Sequence, residues 1–280
     1  LLFAIHPVQV ETVCWISASK IVLSTFFYLS ALICYIQYMR NSKWQYLLAS
    51  VVSSILAMGC KEQSVIIVPC LLLFDWMLFK RNMRSLKVYI EKVYYLIPAI
   101  AIFIVTLVAN KDTGEEIIGY TIVDRFIFLC YSVFKYLLIS AIPFKLSYLY
   151  PFPFQVGEKI PMALWIYPFV ILFIGYVIYL NRKKPLLVFC TLFFILHLLP
   201  VLHVIPLPRY VVVADRYLYI PYIAFAIGLS ILSYHLYERQ RKWILYAGFL
   251  YCSYLCVYTA SYAPAWKNSD TLKEHFKEVL

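Results

Sequence analysis

The sequence predicts an all-α membrane protein, a polytopic helix bundle with about eight spans and one further helix that does not cross. Of the 280 residues, 64% are hydrophobic and only 14% are charged, and the mean hydropathy is +0.79. Soluble domains average about 45–50% apolar and about 25% charged residues. A soluble fold is therefore excluded. The count of 7 glycines likewise excludes a collagen-like chain.

Apolar runs follow one another along the whole chain. A hydrocarbon core about 30 Å thick needs roughly 17–25 apolar residues per helix. The predicted spans are 21–39, 46–60, 64–79, 93–109, 163–180, 186–205, 219–237 and 243–262.

Basic residues gather in four short loops, which predicts that these loops are cytoplasmic. The loops 40–45, 80–92, 181–185 and 238–242 hold 13 of the 25 Lys and Arg residues. They account for most of the net charge of +11 and lie against an anionic leaflet, so no nucleic-acid partner is predicted.

The run 122–144 cannot be a further crossing under this topology. An even number of spans must separate the loops 80–92 and 181–185, yet three apolar runs lie between them. The middle run carries Asp124, Arg125 and Lys135, and charges at the bilayer centre are costly. We interpret it as a re-entrant or interface-lying helix on the outer side.

Residues 263–280 are polar and predict a soluble helix after the membrane domain of residues 1–262. Ser269, Asp270 and Thr271 are candidate caps, and Glu274 completes a capping-box spacing with Thr271. The chain opens inside an apolar run without an initiator Met, so we expect the membrane domain to be incomplete at its N-terminus.

Ionisable residues at the outer membrane edge are the candidate functional residues. Glu11 is the acid best placed to act in the first outer segment, Lys61 can meet a lipid phosphate, and Arg216 can bind a phosphate through its fork of donors with Asp215 orienting it. Each has a structural alternative, namely a solvated helix-N-terminal acid, a polar turn and an interfacial ion pair. We predict that Glu11, Lys61 and Arg216 converge within roughly 20–25 Å, about two helix diameters.

Other polar residues favour structural roles. His197 and His203 lack a third ligand at matching spacing, and the eight cysteines form no CxxC pair, so no metal site is predicted and no divalent metal or other cofactor is supported. Asp75 is expected to pair with Lys80 or Arg81.

Five segments of the chain resemble the transmembrane and tetratricopeptide-repeat mannosyltransferases and their bacterial relatives, which are polytopic C-type glycosyltransferases. The similar segments are HPVQVETVCWISASKIVLSTFFYLS from His6, KEQSVIIVPCLLLFDW from Lys61, KYLLISAIPFKLSYLYPFPF from Lys135, ADRYLYIPYIAFAIG from Ala214 and WKNSDTLKEHFKEVL from Trp266.

The resemblance implies an enzyme that moves a sugar, a hexose such as mannose, from a polyprenyl-phosphate donor to a protein or glycan hydroxyl. Transfer would take place on the extracytoplasmic side of the bacterial inner membrane or the endoplasmic reticulum membrane, and tetratricopeptide repeats would follow residue 263. The main catalytic acid is expected upstream of Leu1, with Glu11 and His6 as auxiliary catalytic residues. The implied donor-binding residues are Lys20, Lys61, Glu62, Asp215, Arg216 and Tyr217.

The chain departs from the family pattern beside Lys20. Ile21 stands where family members usually carry an acid, and Ser19 stands where bacterial relatives often have a second basic residue. Two other functions stay open, a non-catalytic membrane anchor that presents repeats to protein partners and a transporter of a lipid-linked substrate. The transporter predicts internal repeats with broken helices at the midplane, and the sequence shows no such repeat.

Overall fold

The computed structural model describes residues 1–109, 119–203, 211–238 and 242–279. In these ranges the chain forms helices joined by turns, and the β-structure consists of one isolated bridge. The helices are α1 (Leu2–Ile5), α2 (Val10–Cys14), α3 (Ser19–Asn41), α4 (Trp44–Cys60), α5 (Ile67–Met77), α6 (Leu86–Ala109), α7 (Ile122–Ala141), α8 (Ile166–Leu180), α9 (Pro185–Leu198), α10 (Pro221–Glu238), α11 (Trp243–Tyr262) and α12 (Ser269–Val279). The predicted all-α class is confirmed.

Among the described residues, four helical stretches are long and apolar enough to cross a membrane. They are Ile16–Asn41, Leu86–Ala109, Met162–Leu180 and Trp243–Trp266, and two shorter apolar helical stretches are Trp44–Cys60 and Pro185–Val201. Their lengths and compositions indicate a membrane protein. The count of eight spans and the glycosyltransferase-like topology stay predictions.

The chain divides into two compact units. The large unit comprises Leu1–Ala18 with Glu116–Leu280, and the small unit comprises Ser19–Glu115. Each unit contains part of the candidate functional residues.

In the small unit, serine side chains lie between closely packed helices. The hydroxyl of Ser24 on α3 donates to the carbonyl of Ala57 on α4 at 2.9 Å, and the hydroxyl of Ser50 donates to the carbonyl of Ala31 at 2.7 Å. Tyr95 on α6 donates to the Ser50 hydroxyl at 2.8 Å. Small hydroxyl residues let helix backbones approach each other, so these contacts bind α3, α4 and α6 together.

In the large unit, α7 supplies a central part of the core. Its start is fixed by a capping box in which Thr121 accepts from the backbone of Asp124, and the carboxylate of Asp124 accepts from the backbone of Thr121 at 2.7 Å. Phe128 and Tyr136 on this helix are buried together with Tyr222 of α10. The charge of Asp124 therefore serves as a helix cap. The interface-lying placement of this helix stays a prediction.

The segment after α7 folds back onto it through its aromatic residues. The rings of Phe152 and Phe154 lie 5.1 and 4.8 Å from that of Phe128. Tyr150 forms the isolated bridge with Val213, and its carbonyl accepts from the backbone of Val212 at 3.0 Å. The bridge ties this segment to the residues directly before Asp215.

The polar helix predicted near the C-terminus is present as α12, but its cap differs from the prediction. Asn268 accepts the backbone N–H groups of Asp270 and Thr271 at 3.0 and 2.9 Å, so it caps the helix in place of Ser269, Asp270 or Thr271. Within the large unit, Phe276 on α12 lies 5.1 Å from the ring of Tyr148.

Candidate functional site

A buried ion pair joins two distant parts of the large unit. One guanidinium nitrogen of Arg216 lies 2.5 Å from Oε1 of Glu11, and the backbone N–H of Arg216 donates to Oε2 at 2.8 Å. The carboxylate is therefore held by both oxygens. The side chain of Glu11 is 1% exposed, whereas that of Arg216 is 21% exposed. The arginine is the member of the pair that solvent or a ligand can reach.

The residues before Glu11 place its carboxylate. His6 caps the 3-10 turn Pro7–Gln9, and its Nδ1 accepts the backbone N–H of Val8 at 3.3 Å. Pro7 suits the first position of the turn because it has no N–H to leave unpaired. The turn leads directly into α2, which carries Glu11 in its first turn and buries it.

The residues around Arg216 form a second 3-10 turn, Asp215–Leu218. Ala214 before it is extended, and its backbone N–H donates to the Tyr136 hydroxyl at 3.3 Å. Asp215 turns away from Arg216 and accepts a hydrogen bond from Tyr150 at 2.9 Å. The direct contact with Arg216 that the sequence suggested for Asp215 is therefore made by Glu11.

Aromatic rings enclose the guanidinium of Arg216. Its carbon lies 5.5 Å from the ring centroid of Trp15 and 5.0 Å from that of Tyr217. Such cation–π contacts hold an arginine plane in a set orientation. Trp15 is 40% exposed and lies 6.0 Å from the ring of Trp266, so an aromatic surface continues outward from the ion pair.

The ionisable groups behind Arg216 have displaced pKa values. Burial lowers the pKa of His6 to about 3, so His6 is neutral. Burial and the charge of Glu11 raise the pKa of Asp215 well above its usual range. Oδ2 of Asp215 has no hydrogen-bond partner among the described residues. Glu11 thus contacts Arg216 with both oxygens, whereas Asp215 contacts the Tyr150 hydroxyl with one oxygen.

Three predicted donor-binding residues, Lys20, Lys61 and Glu62, belong to the small unit. Nζ of Lys61 lies 2.8 Å from Oε1 of Glu62, and the Lys61 side chain is 16% exposed. Burial would raise the pKa of Glu62, but the charges of Lys61 and Lys20 outweigh it and lower that pKa. The structure thus pairs Lys61 with Glu62. Convergence of Lys61 with Glu11 and Arg216 stays a prediction.

The sequence predicts only part of a second ion cluster in the small unit. Asp75 on α5 is fully buried, and its carboxylate lies 2.6 Å from Nζ of Lys92 and 3.4 Å from a guanidinium nitrogen of Arg81. Arg81 also holds Glu91 at 2.6 Å, and Tyr35 donates to Asp75 at 2.6 Å. The expected pairing of Asp75 with Arg81 is thus confirmed, and Lys92, which was not expected, lies closer.

The positions of Glu91 and Lys92 on α6 indicate this ion cluster. The sequence predicts a cytoplasmic loop for Glu91 and Lys92, because the predicted span begins at residue 93. The helix begins earlier, at Leu86, and its buried face reads Val88, Glu91, Lys92, Tyr95 and Ala99. An ionisable pair on the buried face of a candidate span indicates an internal partner.

The predicted polar core residues occupy the core. His197 is buried and its Nδ1 lies 2.8 Å from the carbonyl of Phe193, while His203 lies 2.9 Å from the carbonyl of Val212. Within the described ranges, no three His, Cys, Asp or Glu side chains are grouped to hold a metal ion. Arg209, which the sequence places near the Asp215 motif, lies outside the described residues.

Comparison of the chain with models of protein families, with curated proteins and with solved structures found no match.

Proposed function

We propose that this protein is a membrane glycosyltransferase that moves a sugar from a polyprenyl-phosphate donor to a protein or glycan hydroxyl on the extracytoplasmic side. The observation that carries the proposal is the Glu11–Arg216 pair, in which residues 205 positions apart meet. Both belong to segments that resemble the mannosyltransferase family, and a half-exposed aromatic surface lies beside them.

Arg216 is the group proposed to stabilise the departing phosphate. Its remaining N–H donors can bind phosphate oxygens while Glu11 and the flanking rings keep the guanidinium in place. Donors that are already oriented before the reaction stabilise developing charge most effectively. In this proposal Glu11 is a positioning residue.

Within the small unit, Lys20 and Lys61 are proposed to bind phosphate, since together they outnumber the single carboxylate of Glu62. A lysine can neutralise a phosphate without bidentate geometry.

The proton of the acceptor hydroxyl is assigned to a carboxylate other than this pair. Glu11 is occupied by Arg216 through both oxygens, and Asp215 is 1% exposed, out of reach of a substrate. A general base must be ionised and within reach of its substrate. The rings of Trp15 and Trp266 are the proposed surface for stacking against a sugar or acceptor.

The test is sugar transfer from a polyprenyl-phosphate donor by purified Arg216→Lys and Arg216→Ala variants. We expect turnover to fall about 10-fold for Lys, which keeps the charge but loses the fork, and about 10²–10³-fold for Ala. Arg182→Ala is the matched control, because Arg182 also lies over a tyrosine ring, at 4.1 Å from Tyr179, but is exposed. Its turnover should equal that of the wild type.

A non-catalytic anchor predicts a different set of results. The Glu11–Arg216 pair would then only stabilise the fold, so Arg216→Ala would lower thermal stability and no variant would transfer sugar. If the wild type transfers sugar and Arg216→Ala transfers it equally well at equal folded amounts, Arg216 does not belong to the site. The protein would still be a glycosyltransferase.

A further inference from the structure

The segment from Asp75 to Lys92 separates its charges into an inner and an outer set. Asp75 and Glu91, the acids at its two ends, turn inward and are balanced there by Arg81 and Lys92. Residues 76–90 contain no acid. The remaining cations, Lys80, Arg84 and Lys87, are exposed. The inner set is neutral, so all three outer charges act on whatever lies outside.

This basic loop is held in place by its own contacts. Tyr89 donates to the carbonyl of Met83 at 3.0 Å, and the Asn82 side chain accepts the backbone N–H of Arg84 at 3.0 Å. Arg81 ties the middle of the loop to α5 and α6. A loop ordered in advance loses little conformational entropy when it binds a partner.

The side chains beside the cations place the loop at the level of lipid headgroups. Leu86 begins a helix long enough to span the membrane, so Lys87 lies in the first turn of that span. Trp76 is 53% exposed and Tyr89 is 45% exposed. Exposed aromatic rings next to the end of a span are typical of the membrane interface, and nearby cations attract anionic headgroups.

We propose that Lys80, Arg84 and Lys87 form a binding site for the phosphate of an anionic phospholipid headgroup, and that occupancy of this site stabilises the small unit. The site is separate from the proposed glycosyltransferase site and does not depend on it. It requires three outward cations on a fixed loop, an interior of zero net charge behind them and exposed apolar side chains beside them, all of which this segment provides.

The experiment measures thermal stability of the full chain in detergent while short-chain phosphatidylglycerol is added. The variant Lys80→Gln/Arg84→Gln/Lys87→Gln removes the three charges at exposed positions, so its stability without lipid should match that of the wild type. We expect the lipid to raise the Tm of the wild type and to bind the variant with an apparent Kd on the order of 100-fold weaker, since each surface cation contributes about a factor of five.

Matched controls separate this site from general attraction. Arg182→Gln/Lys183→Gln/Lys184→Gln removes three exposed cations from another basic loop and should keep the wild-type response. Phosphatidylcholine with the same chains should give no comparable shift. An equal response of both triple variants, or an equal shift with phosphatidylcholine, would overturn the proposal. A full shift with glycerol phosphate alone would show a free-phosphate site and would overturn the lipid assignment.

Discussion

His6 shows how one buried side chain makes stability depend on pH. It is fully buried, its ring lies 4.3 Å from that of Tyr222, and its Nδ1 is occupied by the backbone of Val8. The folded protein therefore keeps His6 neutral, whereas the unfolded chain protonates it near its ordinary pKa of 6.5. The contribution of His6 to the free energy of unfolding is therefore present above pH 6.5, and it is lost as the pH falls below this value.

We predict that His6→Gln makes the protein less sensitive to mild acid. Between pH 7.5 and pH 5.5 the unfolded state of the wild type gains a proton that the folded state cannot take, which costs about 1.4 kcal/mol. The variant should lose about 1.4 kcal/mol less over this range in thermal unfolding. His235→Gln is the control, since the side chain of His235 is 65% exposed. Equal acid losses in His6→Gln and the wild type would show that His6 is accessible to protons.

The sequence predicts that Glu11 and Arg216 lie close together, because both belong to polar segments on the same predicted side. It does not predict which carboxylate binds the arginine. Asp215 is adjacent in sequence, but the 3-10 turn directs its side chain to Tyr150 and directs the backbone N–H of Arg216 to Glu11. Such a choice depends on backbone geometry that the spacing of residues does not reveal.

Among the helices, α6 carries the largest departure from prediction. Hydropathy places the start of a span after the last charge, and so it predicts a loop where the first turns of α6 lie. In the structure, Lys92 meets Asp75 and Tyr35, and its Nζ lies 4.5 Å from the Tyr35 ring centroid. Partners from α3 and α5 offset the cost of burying this charge, and hydropathy contains no information about them.

We predict that Lys92→Met strongly destabilises the protein. Removing one member of a buried ion pair leaves Asp75 as a poorly compensated charge, which costs about 3–5 kcal/mol. Lys87→Met, at an exposed position one and a half turns earlier, is the matched control and should stay within about 0.5 kcal/mol. The measurement is thermal or denaturant unfolding in detergent.

A double variant distinguishes packing from charge at the same place. Asp75→Asn/Lys92→Met removes both charges, so it should recover much of the stability lost in Lys92→Met alone. If the double variant lost the sum of the two single losses, the two residues would be acting independently and the ion pair would not be the cause.

For the chain as a whole, the distribution of basic loops predicts a topology that cysteine labelling can test. An even number of crossings between 92 and 181 requires the loop after α7 to lie outside the cytoplasm. We predict that a cysteine placed at Lys145 reacts with a membrane-impermeant maleimide in intact cells. A cysteine placed at Lys183 should react only after permeabilisation. The exposed Cys14 and Cys256 are first replaced by serine. Labelling of both positions on the same side would invalidate the topology.

The Glu11–Arg216 pair also sets an order of events during biosynthesis. Because 205 positions separate its members, a ribosome adding about 5–20 residues per second delivers Arg216 roughly 10–40 s after Glu11. Throughout that interval the nascent chain holds a carboxylate whose final place is almost fully shielded from water. Until Arg216 emerges, Glu11 must remain hydrated or be covered by the insertion machinery.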